Sequence, residues 1–167
     1  MPGWGIAVER VISDFASGAT EAMCVYKQYS DWQFVEGQGS LCHAAYGCVT
    51  LALIQGSQPT DLILVHHLGR KSHHGNFLVE QPIDDIGRLM RLNEDMASLY
   101  VPTCRIRAIA INGAGSTGEE IDRACGEFRE TYGLPTADVL RHGPDVFVDA
   151  LLKDRKSTRL NSSHRIR

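Results

Sequence analysis

The residues with the clearest capacity for chemistry stand in one short stretch, Val35-Glu36-Gly37-Gln38-Gly39-Ser40. Phe34 and Val35 suit a half-buried strand, which would place Glu36 at its carboxyl end, directly before a glycine-rich turn. Ligands of open α/β sheets bind beyond the carboxyl ends of the strands. A carboxylate followed by unobstructed backbone N–H groups can hold a hydrated metal ion and an anion. The alternative is a strand-to-helix connection that needs its glycines only for backbone geometry.

Histidines form the second set of chemically capable residues. His43 follows the glycine turn, and His66 ends an apolar run further along the chain. A cluster of four, at positions 66, 67, 73 and 74, raises the hypothesis of a metal site. Two adjacent pairs do not give the i, i+4 spacing of a helical zinc site. The pattern therefore favours hydrogen-bonded or catalytic histidines over transition-metal ligands.

Composition limits the function classes. The chain has 167 residues, a net charge of −3, 22% charged and 43% hydrophobic residues, which is typical of a globular domain. The near-neutral charge gives no indication of nucleic-acid or membrane binding. No apolar run reaches the roughly 18 residues of a membrane helix, and no secretory signal is evident. Five scattered cysteines indicate reduced thiols and a cytoplasmic location.

The two ends of the chain differ from the rest. Residues 155–167 are basic and Ser-rich without periodicity, which indicates a non-native or disordered tail after a domain at 1–154. At the other end the pattern begins directly in an amphipathic helix, over about residues 6–29. We therefore expect that the domain is truncated at its N-terminus.

Helical and strand patterns alternate along the chain. Helices are predicted at about 6–29, 49–54, 84–100, 117–132 and 144–152, with a strand as the alternative at 49–54. Strands are predicted at about 31–36, 61–66, 105–112 and 136–140. Thr117 and Glu120 have the spacing of a capping box, and Gly133 is placed to end that helix. This alternation predicts an α/β fold with a mostly parallel sheet, three layers and helices on both faces.

The combination of Val35-Glu36-Gly37-Gln38-Gly39-Ser40-Leu41, His43, Tyr46, Gly56-Ser57-Gln58-Pro59 and the strand ending at His66 resembles one particular family. Its members are bacterial and archaeal proteins long filed as a domain of unknown function, sometimes labelled NAD-dependent epimerase/dehydratase. Some are described as D-glutamate (D-amino-acid) N-acetyltransferases with acetyl-CoA as donor. The resemblance covers about residues 8–152 and implies a P-loop-NTPase-like fold. Because no G-x-x-x-x-G-K-[ST] is found, it also implies a C-terminal fragment without the phosphate loop.

The resemblance implies roles for individual residues. Acyl transfer needs a base and oxyanion donors, and Glu36, His43 and His66 are the implied catalytic residues. Arg70 would bind a substrate carboxylate or a CoA phosphate. The turn and a strand ending in Asn also resemble dethiobiotin synthetase and related P-loop enzymes. By that likeness Glu36 would face Mg²⁺ and Asn112 would read an adenine edge. The donors to phosphate or acyl carbonyl would be Gly37, Gln38, Gly39 and Ser40.

Three functions remain open. The leading one is transfer of an acetyl group from acetyl-CoA to a D-amino acid such as D-glutamate, by a homo-oligomer that binds neither nucleic acid nor membrane. The second is a Mg-ATP-dependent ligase or kinase-like enzyme similar to dethiobiotin synthetase. The third is an inactive nucleotide- or CoA-binding fragment. The epimerase/dehydratase label gains no support, since no G-x-G-x-x-G fingerprint follows a strand.

Overall fold

A computed structural model describes residues 13–26, 30–73, 81–83 and 85–152. They form two compact units: the first comprises described residues of Met1–Thr60 and Lys71–Cys104, and the second those of Asp61–Arg70 and Arg105–Arg167. Both ends of the helix predicted at 6–29, and the tail predicted from 155, lie outside the described residues.

The second unit is built on three parallel strands in the order β1-β2-β3. They are β1 (Asp61–His67), β2 (Arg105–Asn112) and β3 (Thr136–Asp138). The strands predicted at about 61–66 and 105–112 correspond to β1 and β2, and both are confirmed. The middle strand, β2, is buried along most of its length, as expected for a parallel strand covered on both faces.

Helix α4 (Gly118–Tyr132) begins and ends at the residues that the sequence predicts. The Thr117 hydroxyl accepts a hydrogen bond from the Glu120 N–H at 3.3 Å, and the Glu120 carboxylate accepts one from the Thr117 N–H at 2.7 Å. This capping box satisfies two N–H groups that the helix itself leaves unpaired. Gly133 ends the helix in the left-handed conformation, at φ 66°.

Helices cover both faces of the sheet within the second unit. His66 of β1 and Ile111 of β2 are register partners, so they lie on the same face. Phe128 of α4 stacks on His66, which places α4 on that face. On the opposite face, Phe147 of the helix at 145–152 (α6) packs against a cluster that includes Ala108. The predicted α/β architecture with helices on both faces of a parallel sheet is confirmed.

The last strand is shorter than the predicted 136–140. It ends at Asp138, because the Asp138 carboxylate accepts hydrogen bonds from the N–H groups of Leu140 (2.9 Å) and Arg141 (3.3 Å). These bonds cap α5 (Val139–His142), a single helical turn. The Asp138 side chain therefore ends the strand and begins the helical turn.

The first unit is helical. It contains α1 (Ser13–Val25), α2 (Gly47–Ser57) and α3 (Ile86–Ser98), so the helical alternative at 49–54 is confirmed. Helices α1 and α2 pack closely at Gly56, where an added Cβ would lie 2.2 Å from the Ser17 carbonyl oxygen. In none of the described ranges is a helix long and apolar enough to span a membrane.

The strand predicted at 31–36 is wrong. Residues 32–38, all described, have no strand pairing, and the Phe34 side chain is 79% exposed. Trp32 and Phe34 stack on each other, with ring centroids 6.2 Å apart. Apolar and β-branched residues here fit a strand by type, but a strand forms only where a partner supplies hydrogen bonds and a covered face. Glu36 therefore belongs to an irregular exposed segment.

Candidate functional site

The glycine turn lies in the first unit and precedes α2. Glu36, Gly37, Gln38 and Gly39 are all exposed, and Gly39 has a left-handed backbone with φ 67°. The Thr50 hydroxyl in the first turn of α2 donates to the Gln38 carbonyl oxygen, which ties the turn to the helix. This segment therefore carries an exposed carboxylate and exposed glycines, and no strand delivers them.

The chain after the turn is held by local hydrogen bonds at Ser40. The Ser40 carbonyl oxygen accepts from the His43 N–H at 2.9 Å, and its hydroxyl oxygen accepts from the Cys42 N–H at 3.2 Å. These bonds fold residues 40–43 into a tight turn. Ser40 thus shapes the backbone that carries His43, and its hydroxyl hydrogen can still donate to a ligand.

His43 is buried, with 8% of its surface exposed. Its Nδ1 accepts a hydrogen bond from the Ala45 N–H at 3.1 Å. A nitrogen that accepts carries no proton, so the neutral ring holds its hydrogen on Nε2. The ring contacts Tyr46 and His73, with centroids 4.7 and 5.1 Å away. In this tautomer the ring hydrogen of His43 is on Nε2, so Nδ1 is not available for proton abstraction.

His66, Arg70 and Asn112 lie in the second unit, at the carboxyl edge of the sheet. The register pairs His66 with Ile111 and His67 with Asn112, which makes the two strand ends neighbours. The Leu68 N–H donates to the Asn112 carbonyl oxygen at 2.9 Å, and the Arg70 N–H donates to the His67 carbonyl oxygen at 3.2 Å. His66 and Asn112 therefore lie at the ends of their strands, as the sequence predicts. The exposed Arg70 lies in the turn after β1.

The environment of His66 keeps its ring neutral. The ring is half-buried and stacks on Phe128, with centroids 5.6 Å apart. Burial lowers the pKa of His66 below its ordinary value, and the nearby His67 and Arg70 lower it further. A neutral imidazole can act as a proton acceptor at physiological pH, provided that its unprotonated nitrogen faces the substrate.

The loop after β2 is fixed by two side-chain hydrogen bonds. The exposed Asn112 accepts from the Ala114 N–H through Oδ1 at 3.1 Å, which identifies the other amide atom as the NH₂ donor. The Gly113 N–H donates to Asp138 Oδ2 at 2.9 Å. A Cβ at Gly113 would lie 2.4 Å from Ile121 Cδ1 and 2.8 Å from Asp138 Oδ2. A side chain at this position would require Ile121 or the bonded Asp138 carboxylate to move.

Sequence reasoning missed Asp138. Its side chain is 5% exposed, and its two oxygens accept from three backbone N–H groups of two successive strand-end segments. The available signal was an acidic residue directly after Thr136 and Ala137 of a predicted strand, the position at which a carboxylate would lie at the carboxyl edge of the sheet. The pairing with Gly113 could not be read locally, because the two residues are 25 positions apart.

A second missed group is an exposed ionic cluster between α4 and α5. Arg141 binds the Asp122 carboxylate through Nε (3.0 Å) and Nη2 (2.8 Å), and His142 Nε2 lies 2.8 Å from Asp122 Oδ1. The hydrogen bonds from Arg141 and from His142 both lower the pKa of Asp122, and Arg141 has the larger effect. The His142 Nδ1 accepts from the Asp138 N–H at 3.1 Å, so its Nε2 is the protonated nitrogen. The cluster braces the turn that follows Asp138.

The donor set for a metal ion is small. Within the ranges that the structure describes, no three His, Cys, Asp or Glu side chains form a group able to hold a metal. Glu36 is a single exposed carboxylate. Mg²⁺ in nucleotide-binding sites often uses one or two carboxylates with substrate phosphates and water. A single exposed carboxylate such as Glu36 would therefore hold Mg²⁺ together with oxygens of a substrate and of water.

Comparison with known proteins agrees with this architecture. A protein from Pseudoalteromonas named D-glutamate N-acetyltransferase is 36% identical over 87% of this chain, and one of the same name from Tritonibacter scottomollicae is 34% identical over 89%. The chain spans 43% and 44% of those two relatives. A crystal structure of a DUF1611 family protein from Anabaena variabilis matches with a TM-score of 0.81 and 39% identity, covering 90% of this chain and 44% of that one. The family described as the DUF1611_C P-loop domain, a domain of unknown function, matches residues 1–148, and the chain belongs to this family.

Proposed function

We propose that the chain is part of an N-acyltransferase that moves an acetyl group from acetyl-CoA to the amino group of a D-amino acid such as D-glutamate. The observation that carries this proposal is the 34–36% identity to two proteins named D-glutamate N-acetyltransferase, sustained over nearly the whole chain. Because the chain spans under half of each relative, the activity is proposed for the longer protein and is to be tested in both.

The carboxyl edge of the second unit supplies groups that suit this reaction. His66 is neutral, and the exposed Arg70 can pair with a carboxylate of the amino acid or with a phosphate of CoA through its planar guanidinium. Asn112 has an NH₂ donor that can bond the edge of the CoA adenine. We assign proton transfer to this edge, and substrate binding to Arg70 and Asn112.

The glycine turn of the first unit supplies hydrogen-bond donors. We assign to Gly37, Gln38, Gly39 and Ser40 the binding of a phosphate or of the acyl carbonyl oxygen, since their backbone is accessible. His43, which follows this turn, is kept in the proposal as a catalytic residue. Glu36 would either accept a proton or approach Mg²⁺ when a nucleotide is bound.

A Mg-ATP-dependent reaction is the second candidate function. It is favoured by the description of the family as a P-loop domain and by the parallel sheet of the second unit. Under this alternative Glu36 would help to hold a magnesium ion, the role that the resemblance to dethiobiotin synthetase implies. The same resemblance implies that Asn112 reads an adenine edge. Binding of ATP that requires both Mg²⁺ and Glu36, without acetyl transfer, would favour this candidate over the first.

The test is an acetyl-transfer assay on the 167-residue chain and on a chimera in which the chain replaces the matched part of the Pseudoalteromonas relative. Acetyl-CoA and D-glutamate are mixed, thiol release is followed, and the N-acetyl product is identified by mass spectrometry. Reactions with L-glutamate and without acceptor measure selectivity and thioester hydrolysis.

Glu36→Ala and His43→Ala are assayed beside Asp149→Asn, a change at an exposed position of α6. We expect product with the unaltered protein and with Asp149→Asn, and a loss of at least about tenfold in the two test variants, as for removal of a catalytic acid–base group or hydrogen-bond donor. Absence of N-acetyl product from both the chain and the chimera would refute the proposal.

A further inference from the structure

Three histidines among the described residues have defined tautomers, and they differ in which ring nitrogen carries no hydrogen. His43 and His142 each accept a backbone N–H at Nδ1, so their outer nitrogen, Nε2, is protonated. His67 has the opposite arrangement. Its Nδ1 lies 2.8 Å from the Leu68 carbonyl oxygen. A carbonyl only accepts, so Nδ1 of His67 must donate its hydrogen, and the neutral ring has an unprotonated Nε2.

The backbone around His67 is fixed at the sheet edge. His67 is the last residue of β1 and the register partner of Asn112, the last residue of β2. The N–H groups of Leu68 and Arg70 donate to the carbonyl oxygens of Asn112 and His67, which closes the turn after the strand. The ring is therefore held by its own Nδ1–H bond on a backbone that is itself bonded to the neighbouring strand. Such restraint reduces the entropy lost when a base is positioned.

We propose that His67 is the proton acceptor of the acetyl transfer, through Nε2. This inference rests on the proposed function and names a catalytic residue for it. His66, adjacent in sequence, faces α4 and stacks on Phe128, whereas successive residues of a strand point to opposite faces. His67 thus projects from the other face of β1, at the strand end beside Asn112.

In the proposed reaction His67 carries one proton from the amine nitrogen to the thiolate. The substrate ammonium first loses one proton to solvent. The amine nitrogen then forms a bond to the thioester carbonyl carbon, the C–S bond breaks, and the sulfur takes the bonding electron pair. His67 Nε2 accepts the second proton from nitrogen and delivers it to the thiolate. The products are the N-acetyl amino acid, the CoA thiol and one proton in solvent, and His67 returns to its neutral form.

Two substitutions separate the base from the hydrogen bond that positions it. His67→Asn keeps an NH₂ group near the place of Nδ1–H, so the bond to the Leu68 carbonyl can persist, but it removes the basic Nε2. His67→Gln places its amide near Nε2 and removes the Nδ1 donor. We expect both to lower kcat by about 10²-fold or more, the usual contribution of general acid–base catalysis, with a smaller change in KM. His142→Asn is the matched histidine control, and we expect a change below about threefold.

A readout that does not depend on activity is the tautomer itself. Nitrogen-15 NMR of the 167-residue chain distinguishes a protonated Nδ1 from a protonated Nε2 for each assigned histidine. We expect Nδ1–H for His67 and Nε2–H for His43 and His142. A spectrum that shows Nε2–H for His67 would overturn the inference whatever the kinetics.

The outcomes separate this inference from the proposed function. If the unaltered protein forms N-acetyl product and His67→Asn retains its kcat, the assignment of His67 is wrong and the acyltransferase proposal stands. If neither the chain nor the chimera forms product, the proposed function fails and the role of His67 in it fails too. Loss of kcat in both His67 variants, with His142→Asn unaffected and Nδ1–H observed, supports both.

Discussion

Replacing Asp138 should cost more stability than replacing any exposed acidic residue of the second unit, because its carboxylate is the acceptor for three backbone N–H groups. In Asp138→Ala the Gly113 N–H would be left buried without an acceptor, which costs about 1–3 kcal/mol. The N–H groups of Leu140 and Arg141 belong to exposed residues and can bond water, so losing the cap there costs about 1 kcal/mol. The expected loss is therefore about 2–4 kcal/mol in the free energy of unfolding.

Urea unfolding gives the first measurement. With a slope of about 2 kcal/mol/M for a small protein, this loss lowers the midpoint by roughly 1–2 M. Asp138→Asn keeps the shape but turns one acceptor oxygen into a donor that opposes an N–H, so we expect an intermediate loss. Asp149→Asn, at an exposed position of α6, is the matched control and should change stability by less than about 0.5 kcal/mol.

Hydrogen exchange gives the second, local measurement. The Gly113 amide should exchange faster in Asp138→Ala than in the unaltered chain, by a factor larger than that for amides in α4. The reasoning is refuted if Asp138→Ala unfolds at the same urea concentration as Asp149→Asn, or if protection at Gly113 is unchanged.

Two further predictions concern helix packing and pH. Gly56→Ala should destabilise the chain, since its Cβ would lie 2.2 Å from the Ser17 carbonyl oxygen. Gly18→Ala, whose Cβ would have nothing within 4 Å, should stabilise α1 by about 0.5–1 kcal/mol. Thermal unfolding of both variants checks this, and equal effects on stability would contradict it. Because burial lowers the folded-state pKa of His66, the unfolded chain binds more protons below the ordinary value of 6.5, so stability should fall as pH drops from 7.5 to 5.5. His66→Phe should reduce that fall in urea unfolding at the two pH values, and an unchanged pH dependence would count against the lowered pKa.

The parts of the fold that the sequence predicts are those specified locally. The apolar runs of β1 and β2, the Thr117 capping box and the Gly133 helix end are each encoded within a few residues, and each is confirmed. The strand predicted at 31–36 is wrong because residue types indicate a strand, whereas the presence of a neighbouring strand to pair with depends on tertiary structure. The strand predicted at 136–140 is longer than β3 because the Asp138 side chain binds the backbone N–H groups of the residues that follow it.

The candidate site residues also differ in how far the local sequence predicts them. His66 and Asn112 could be placed at strand ends from the apolar runs before them, since parallel strands deliver their carboxyl ends to one edge. The roles of His43 and His67 could not, because the proton on an imidazole is set by the partner of its other nitrogen. That partner is a backbone group in both, an N–H for His43 and a carbonyl for His67. Residue type alone cannot distinguish the two cases.

Two hydrogen bonds of the sheet edge differ in how far they reach along the chain, and this difference makes their effects separable. His67 bonds the carbonyl of the next residue, so a substitution there changes the ring and leaves the joined strand ends in place. Asp138 bonds Gly113 across two strands, so a substitution there loosens the loop that carries Asn112. We therefore expect His67→Asn to change kcat without altering Gly113 exchange, and Asp138→Asn to change Gly113 exchange together with the KM for acetyl-CoA. Gly113 protection that fell equally in both variants would mean that His67 acts through the fold and not through its Nε2.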